Sequence, residues 1–90
     1  MEAIKPNIRK ESFEIRLDKT VYNFTNELIE GDLLCINTKS GFKLEDLVLC
    51  YDKEREVNIV SKFISLIPDT DYSNQIIYPI GKVTSFSRSL

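Results

Sequence analysis

The sequence predicts one mainly β domain, folded as a small curled sheet or partial barrel. Apolar segments recur roughly every ten residues between clusters of polar, turn-forming residues, a spacing typical of all-β folds. No segment shows the period of a long amphipathic helix, so at most one short helical turn is expected. The 90 residues are enough for a single domain with a thin core.

The first strand is predicted from Phe13, Ile15 and Leu17, which alternate with charged residues. A period of two is that of a strand with one buried face. Residues 1–11 before it are polar and are expected to form a solvated N-terminal arm. The domain itself is therefore assigned to residues 12–90.

Residues 19–30 break this alternation. Their apolar residues are scattered among asparagine and threonine, which predicts a loop with one short helical turn. Glu27 and Glu30 would lie on that turn, three residues apart, and face solvent. Gly31 and Asp32 then punctuate the chain before the next apolar run.

The middle of the chain predicts three strands. Two apolar runs, 33–36 and 47–51, are separated by the turn formers of 37–41. The mixed charge run 52–56 is expected to be the exposed turn of a hairpin. It leads into the alternating segment 57–64, which is apolar on much of both faces.

The last third predicts two strands joined by a turn. Pro68 within 66–68 ends the preceding strand, because proline cannot donate to an inner ladder. A polar loop over 69–75 follows, and then a short strand over 76–78. Residues 79–81 are expected to turn the chain into a final strand, 82–88.

Composition excludes several classes of function. The chain has no histidine, which excludes Ser-His-Asp and Cys-His catalysis and every histidine-ligated metal site. It has no phosphate-cradling glycine loop, so no cofactor is predicted. No apolar stretch is long enough for a signal peptide or a membrane span, and the chain is expected to be cytoplasmic without a membrane partner.

The two cysteines, Cys35 and Cys50, lie in apolar runs and do not form a CxxC motif. Their spacing gives neither a zinc site nor a redox motif. Both are expected to be buried free thiols. If their two runs were neighbouring strands, a disulfide would be sterically feasible.

The net charge of −2 argues against direct nucleic-acid binding, which depends on clustered cations. Lys5, Arg9 and Lys10 in the arm are the nearest approach to a cluster. They keep open one alternative, a DNA-associated accessory module, although a solvated arm is the simpler interpretation.

Four sequence blocks carry a resemblance to a known family. They are FEIRL (13–17), EGDLLCIN (30–37), the discontinuous DLVLCY, VNIVSK and LIPDTDY (46–51, 57–62 and 66–72), and IGKV (80–83). These are similar to the strand before the nucleophile, the "DGDLL-V" strand, the "GDIVVA…VTVKRL…LLPENPEY" segment and the closing "IIGKVVGVIR" strand of LexA/UmuD-type serine peptidases. The resemblance covers residues 13–88 and implies the signal-peptidase-like β fold of that C-terminal domain, which is also the folded half of many phage repressors.

The family acts through a Ser-Lys dyad, and this chain departs from it. The resemblance places the serine position on Tyr22 or Asn23, neither of which is a nucleophile. Lys62 matches the position of the general base. The three residues are therefore interpreted as a vestigial site, with no catalytic residue assigned. A displaced nucleophile, Thr20 or Thr25, remains an alternative that would make the chain an active peptidase.

The resemblance also implies a protein partner. The family dimerises through its C-terminal strand, and the matching interface residues here are Val83, Thr84, Ser85, Phe86 and Arg88. Packing of Phe86 into its own core is the competing interpretation. Gly31 and Asp32 are expected to be structural, with Asp32 ordering a turn. The expected function is a non-catalytic interaction module that forms homodimers or binds a LexA-like repressor, in phage or SOS transcription regulation.

Overall fold

The computed structural model describes residues 3–6, 8–66 and 76–88, with Ser65 and Leu66 described by their backbone alone. These residues form six strands and one 3₁₀ helix. The strands are β1 (Ser12–Arg16), β2 (Val21–Asn23), β3 (Leu33–Asn37), β4 (Leu47–Asp52), β5 (Val57–Lys62) and β6 (Ile77–Ser87), and the 3₁₀ helix is Phe63–Leu66. Within these ranges there is no α-helix, and the predicted mainly β class is confirmed.

The strands form one curled, half-barrel sheet in the order β1-β3-β6-β4-β5-β2. All neighbours are antiparallel except β2 and β5, which are parallel. Strands β1 and β2 are the outer edges. Strand β6 lies in the middle, where it joins β3 to β4.

The sheet is buried on both faces at its centre. On β4, Leu49 and Tyr51 belong to the larger core cluster, whereas Val48 and Cys50 face the opposite side, as the period of two requires. Burial on both faces explains why the sequence of β4 is continuously apolar. The larger cluster consists of Leu17, Val21, Leu28, Leu34, Ile36, Leu49, Tyr51, Val60 and Ile80.

The loop predicted over residues 19–30 is present at 19–20 and 24–30, but the strand within it was not predicted and the helical turn is wrong. Val21–Asn23 form β2, and the described residues 24–30 contain no helical turn. Glu27 and Glu30 are exposed, but they do not lie on a helix. The three residues of β2 have no pattern of their own, and parallel pairing with β5, far along the chain, makes them a strand.

The turn predicted over 79–81 is also wrong, since β6 runs through it without interruption. The register with β4 shifts between Leu49 and Cys50, which places Gly81 opposite Leu49 and Pro79 opposite Cys50 and leaves Ile80 as the extra residue of a bulge in β6. Proline is tolerated in a sheet at such a bulge, where the ladder is already interrupted.

The predicted strand 57–64 ends at Lys62, where the 3₁₀ helix begins. The exposed turn of the β4–β5 hairpin is confirmed at residues 53–56, but it is wrong for Asp52, which is buried as the last residue of β4 and accepts hydrogen bonds from the turn. The strand end predicted at 66–68 and the loop 69–75 fall almost wholly outside the described residues. No helix in the described ranges is long and apolar enough to cross a membrane.

The described part of the N-terminal arm contacts the sheet. Ala3, Ile4 and Ile8 pack against the larger core cluster, so the expectation of a solvated arm is wrong for these residues. The domain boundary at residue 11 stays a prediction.

Both cysteines are free. Cys50 is buried as predicted, whereas Cys35 is half-buried. Because β6 separates β3 from β4, the condition for a disulfide between neighbouring strands is not met.

Candidate interaction edge on strand β6

Beyond Lys82, strand β6 is paired on one side only. Strand β4 pairs with β6 from Ile77 to Lys82, whereas β3 continues beside it as far as Ser87. No strand among the described residues covers the other side of residues 83–87. Such an edge offers backbone N–H and C=O groups to a strand of another molecule.

The side chains of this edge are mostly exposed. Thr84, Ser85, Phe86 and Ser87 are exposed, and Val83 is half-buried. Phe86 is 45% exposed, so its packing into its own core is wrong. Burial of an exposed aromatic ring by a partner strand contributes favourably to the free energy of binding.

Arg88 fastens the end of this strand to the loop before β3. Its Nε donates to Asp32 Oδ1 at 2.8 Å, and its Nη2 donates to Asp32 Oδ2 at 2.9 Å. The same Nη2 donates to the carbonyl of Glu27 at 3.3 Å. The guanidinium carbon also lies 5.2 Å from the centroid of the Phe86 ring, within cation–π range. A bidentate pair of this kind fixes orientation as well as distance.

Asp32 is the buried partner of this pair. Its side chain is fully buried, and Oδ2 also accepts a 2.9 Å hydrogen bond from Ile29 N. Hydrogen bonds from Arg88, with smaller contributions from Ile29 N–H and the Arg88 charge, outweigh burial and lower the pKa of Asp32 from 3.8 to about 2. Gly31 before it has a φ of 101°, which favours glycine. The hydrogen bonds of Asp32 and the positive φ of Gly31 are consistent with the structural role that the sequence predicts for both residues.

Lys62 lies at the end of β5 and is paired with carboxylates. Its Nζ is 3.8 Å from Glu27 Oε1 and 3.5 Å from Glu45 Oε2. Its side chain is 40% exposed. A general-base lysine must be neutral and desolvated, whereas the Lys62 side chain is partly exposed and its amine lies between two carboxylates.

The other two vestigial positions lie on β2. Tyr22 is exposed, while Asn23 donates from Nδ2 to the carbonyl of Leu28 at 2.8 Å and accepts from Thr25 N at 2.9 Å. Parallel pairing with β5 brings the loop after Asn23 to the end of β5 that carries Lys62, and Glu27 of this loop contacts Lys62. The structure thus brings Asn23 and the loop after it towards Lys62, whereas Tyr22 pairs with Ile59 in the middle of β5.

The threonine hydroxyls form local hydrogen bonds. Thr20 Oγ1 donates to Asp18 Oδ1. Thr25 Oγ1 donates to Asn23 Oδ1 at 2.9 Å and accepts from Leu28 N at 3.3 Å. In the part of the chain that is described, neither hydroxyl has a hydrogen bond with Lys62.

Metal ligands do not converge anywhere in the described ranges, where no group of three Cys, Asp or Glu side chains could hold an ion. The backbone groups of residues 83–87, which β4 does not pair, and the exposed Phe86 are groups of the kind that a polypeptide strand can pair with and cover.

Sequence reasoning missed the contact that holds this edge. Arg88 was predicted as an interface residue and Asp32 as a turn residue, yet the two side chains bind each other across 56 positions of sequence. No local motif indicates this pair, because the contact between Arg88 and Asp32 depends on β6 lying beside β3.

No protein-family model, curated protein or solved structure matches this chain. The resemblance to LexA/UmuD-type domains rests on the four sequence blocks and stays a prediction.

Proposed function

We propose that this chain is a non-catalytic, LexA/UmuD-like interaction module that pairs through strand β6 with a second polypeptide. The partner is a second copy of the chain or a repressor of the same fold. In the second case the module would act as an anti-repressor or regulator in phage or SOS transcription control. The supporting observation is the one-sided pairing of residues 83–87 beside the exposed Phe86.

The two hydrogen bonds from Arg88 to Asp32 support this proposal. Arg88 binds the buried Asp32 in two places, so the end of β6 is held in one conformation before a partner arrives. An ordered edge loses less conformational entropy on binding than a loose one. In this proposal Arg88 is a positioning residue, and Phe86 and the β6 backbone contact the partner.

The surroundings of Lys62 support the non-catalytic part. Lys62 lies between Glu27 and Glu45, and Thr25 is hydrogen-bonded to Asn23. A displaced peptidase dyad needs a hydroxyl within hydrogen-bond reach of a neutral amine. The described contacts therefore favour the interaction module over the alternative of an active peptidase.

The test is the molar mass in solution, measured by light scattering from about ten to several hundred micromolar. The monomer is 10.4 kDa, and we expect the wild type to approach twice that mass with rising concentration. Phe86→Asp should remain a monomer, because it places a charge where the partner would bury a ring.

The matched control is Phe24→Asp. Phe24 is 64% exposed, and its N–H donates to the carbonyl of Val60 on β5, a strand that β4 separates from β6, so this variant should associate like the wild type. A wild-type monomer at every concentration would exclude the homodimer. Heterologous pairing would then require binding to a purified LexA-like repressor domain, and failure to bind it would end the proposal.

A further inference from the structure

Tyr51 is a buried residue whose hydroxyl has no hydrogen-bond partner among the described residues. Tyr51 belongs to the larger core cluster and is 7% exposed. The described part of the chain contains no fully buried polar side-chain atom that lacks a partner, so the small exposed area of Tyr51 includes its hydroxyl. A polar group in an apolar surrounding needs a hydrogen bond, and this hydroxyl is open to one from outside the chain.

A cavity of about 470 Å³ lies where Tyr51 reaches the surface. Tyr78 is opposite Tyr51 in the register of β4 and β6, so the two rings lie on the same face of the sheet. Tyr78 is 39% exposed and offers an aromatic surface beside the hydroxyl. The cavity has the volume of small-ligand sites, and it is lined by Lys5, Pro6, Tyr51, Lys53, Glu56 and Tyr78.

Backbone contacts hold the walls of this cavity. Asn58 accepts a hydrogen bond from Ile4 N at 2.9 Å and donates to the carbonyl of Ile4 at 2.9 Å, which fixes the arm just before the two residues that line the cavity. Lys53 N donates to the carbonyl of Ile76 at 3.0 Å, which fastens the hairpin turn beside the beginning of β6. The walls are thus part of the fold, and a ligand loses little affinity to ordering them.

Positive charge prevails in the lining of the cavity. Lys5 and Lys53 contribute two cations and Glu56 contributes one carboxylate, and all three residues are exposed. None of the three forms an ion pair with another described residue. The net positive charge favours an anionic ligand over a cationic one.

We propose that this cavity binds a small aromatic carboxylate. The carboxylate of the ligand lies among the ammonium groups of Lys5 and Lys53 and the hydroxyl of Tyr51, all of which donate to it. The ring of the ligand packs against Tyr78. Glu56 selects against ligands with a second negative charge.

This site goes beyond the proposed function and does not depend on it. Tyr78 lies near the beginning of β6, where β4 pairs with it, whereas the open edge is formed by residues 83–87 at the other end of the strand. Phe86→Asp should therefore bind the ligand as well as the wild type does. Failure of strand pairing and failure of ligand binding are separate results.

The test is a titration of the isotope-labelled full-length chain with 2-naphthoate, followed by backbone amide chemical shifts. We expect saturable shifts that are largest in residues 51–56 and 76–79, with a dissociation constant of about 1 mM or lower. 2-Naphthamide has the same ring system without the charge, and acetate has the charge without the ring. Each of these two should bind at least tenfold more weakly than 2-naphthoate.

Four variants test the contacts of the carboxylate. Tyr51→Phe removes only the hydroxyl and should weaken binding of 2-naphthoate roughly tenfold. Lys53→Gln should weaken binding several-fold, whereas Glu56→Gln should strengthen it, because this substitution removes the negative charge from the lining. Lys39→Gln is the matched control, since Lys39 is an exposed lysine that does not line the cavity, and it should bind like the wild type.

Any one of three results would overturn the proposal. These are the absence of saturable shifts up to about 10 mM 2-naphthoate, shifts that are largest outside residues 51–56 and 76–79, and equal affinities for 2-naphthoate and 2-naphthamide. The comparison of ligands uses the unaltered protein, so it decides the proposal even if a variant does not fold.

Discussion

Strand β6 passes so close to β3 at Gly81 that a larger residue does not fit without movement. A Cβ on Gly81 would lie 2.7 Å from Ile36 Cγ2 and 2.8 Å from the carbonyl oxygen of Asn37. Because the second neighbour is backbone, relief requires the two strands to separate. Glycine at this position is therefore needed for β6 to lie this close to β3.

Gly81→Ala should lower the free energy of unfolding by about 1–3 kcal/mol, the usual cost of overpacking. Gly41→Ala is the matched control, because a Cβ there meets no heavy atom within 4 Å, and it should change stability by less than about 0.5 kcal/mol. Denaturant unfolding measures both. Equal effects of the two substitutions would contradict the close contact.

Asp32 predicts a specific acid dependence of stability. A carboxyl whose pKa is lower in the folded chain stabilises the fold above its unfolded pKa and loses this contribution as pH falls through the folded pKa. For Asp32 this window extends from about pH 4 down to about pH 2, since its pKa falls from 3.8 to about 2. Its contribution is complete at neutral pH.

Asp32→Asn should therefore be destabilised at neutral pH, and its difference from the wild type should shrink as pH falls from 4 towards 2. Asp18 and Asp46 also have lowered pKa values, but they titrate in both proteins and cancel in the difference. Denaturant unfolding at several pH values gives the curve. A difference that stays constant over this window would show that Arg88 does not hold the Asp32 charge.

At the scale of elements, the β4–β5 hairpin turns through one residue in left-handed conformation. Glu56 has a φ of 57°, which costs a residue with a side chain roughly 1 kcal/mol or more. Glu54 precedes it in the same exposed turn, and its N–H binds Asp52 Oδ1 at 3.0 Å. The two glutamates share charge and exposure but not backbone conformation.

Glu56→Gly should thus leave the hairpin as stable as the wild type or raise its stability by up to about 1 kcal/mol. Glu54→Gly should lower stability by about 0.5–1 kcal/mol, because glycine adds entropy to the unfolded chain without relieving strain. Thermal unfolding of both variants and the wild type measures the two changes in stability. The opposite order would refute the left-handed turn.

The strands that the sequence predicted correctly carry their signal locally. Strands β3, β4 and β5 are apolar runs bounded by turn formers, and β1 has a strict alternation. Strand β2 escaped prediction because its stability comes from parallel pairing with β5. The turn expected at Pro79 and Gly81 is absent because a bulge of β6 at Ile80 accommodates both residues within the strand.

The candidate edge was predictable only in part. Phe86 and the small hydroxyl residues around it indicate an exposed strand in the sequence itself. Two hydrogen-bonded contacts join residues more than fifty positions apart. Arg88 binds Asp32, and Asn58 binds the backbone of Ile4. No local pattern contains such contacts, because they arise from the order of strands in the sheet.

At the scale of the whole molecule, the two thiols differ in access to solvent. Cys50 belongs to the smaller core cluster and has no exposed surface, and burial raises the pKa of its thiol from 9.0 to about 12. Cys35 is half-buried on β3. Only the thiolate reacts with alkylating agents.

Native protein at pH 8 should therefore label first at Cys35. Cys50 should react far more slowly than Cys35, because burial disfavours its thiolate and keeps reagents out, so that it labels mainly through opening of the sheet. Mass spectrometry of wild type and Cys35→Ala over time measures the two rates. Rapid labelling of Cys35→Ala would mean that the centre of the sheet opens locally.

The central position of β6 has a consequence for synthesis. A ribosome makes β1 to β5 before β6. Because β6 is the strand between β3 and β4, the pair β1–β3 is not joined to β4, β5 and β2 until β6 is made. The emerging chain therefore holds two incomplete fragments with apolar, unpaired edges until residues 77–87 are released. We expect a pause in translation within that segment to expose these edges to chaperones or to aggregation, whereas a pause within the first strands should have little effect.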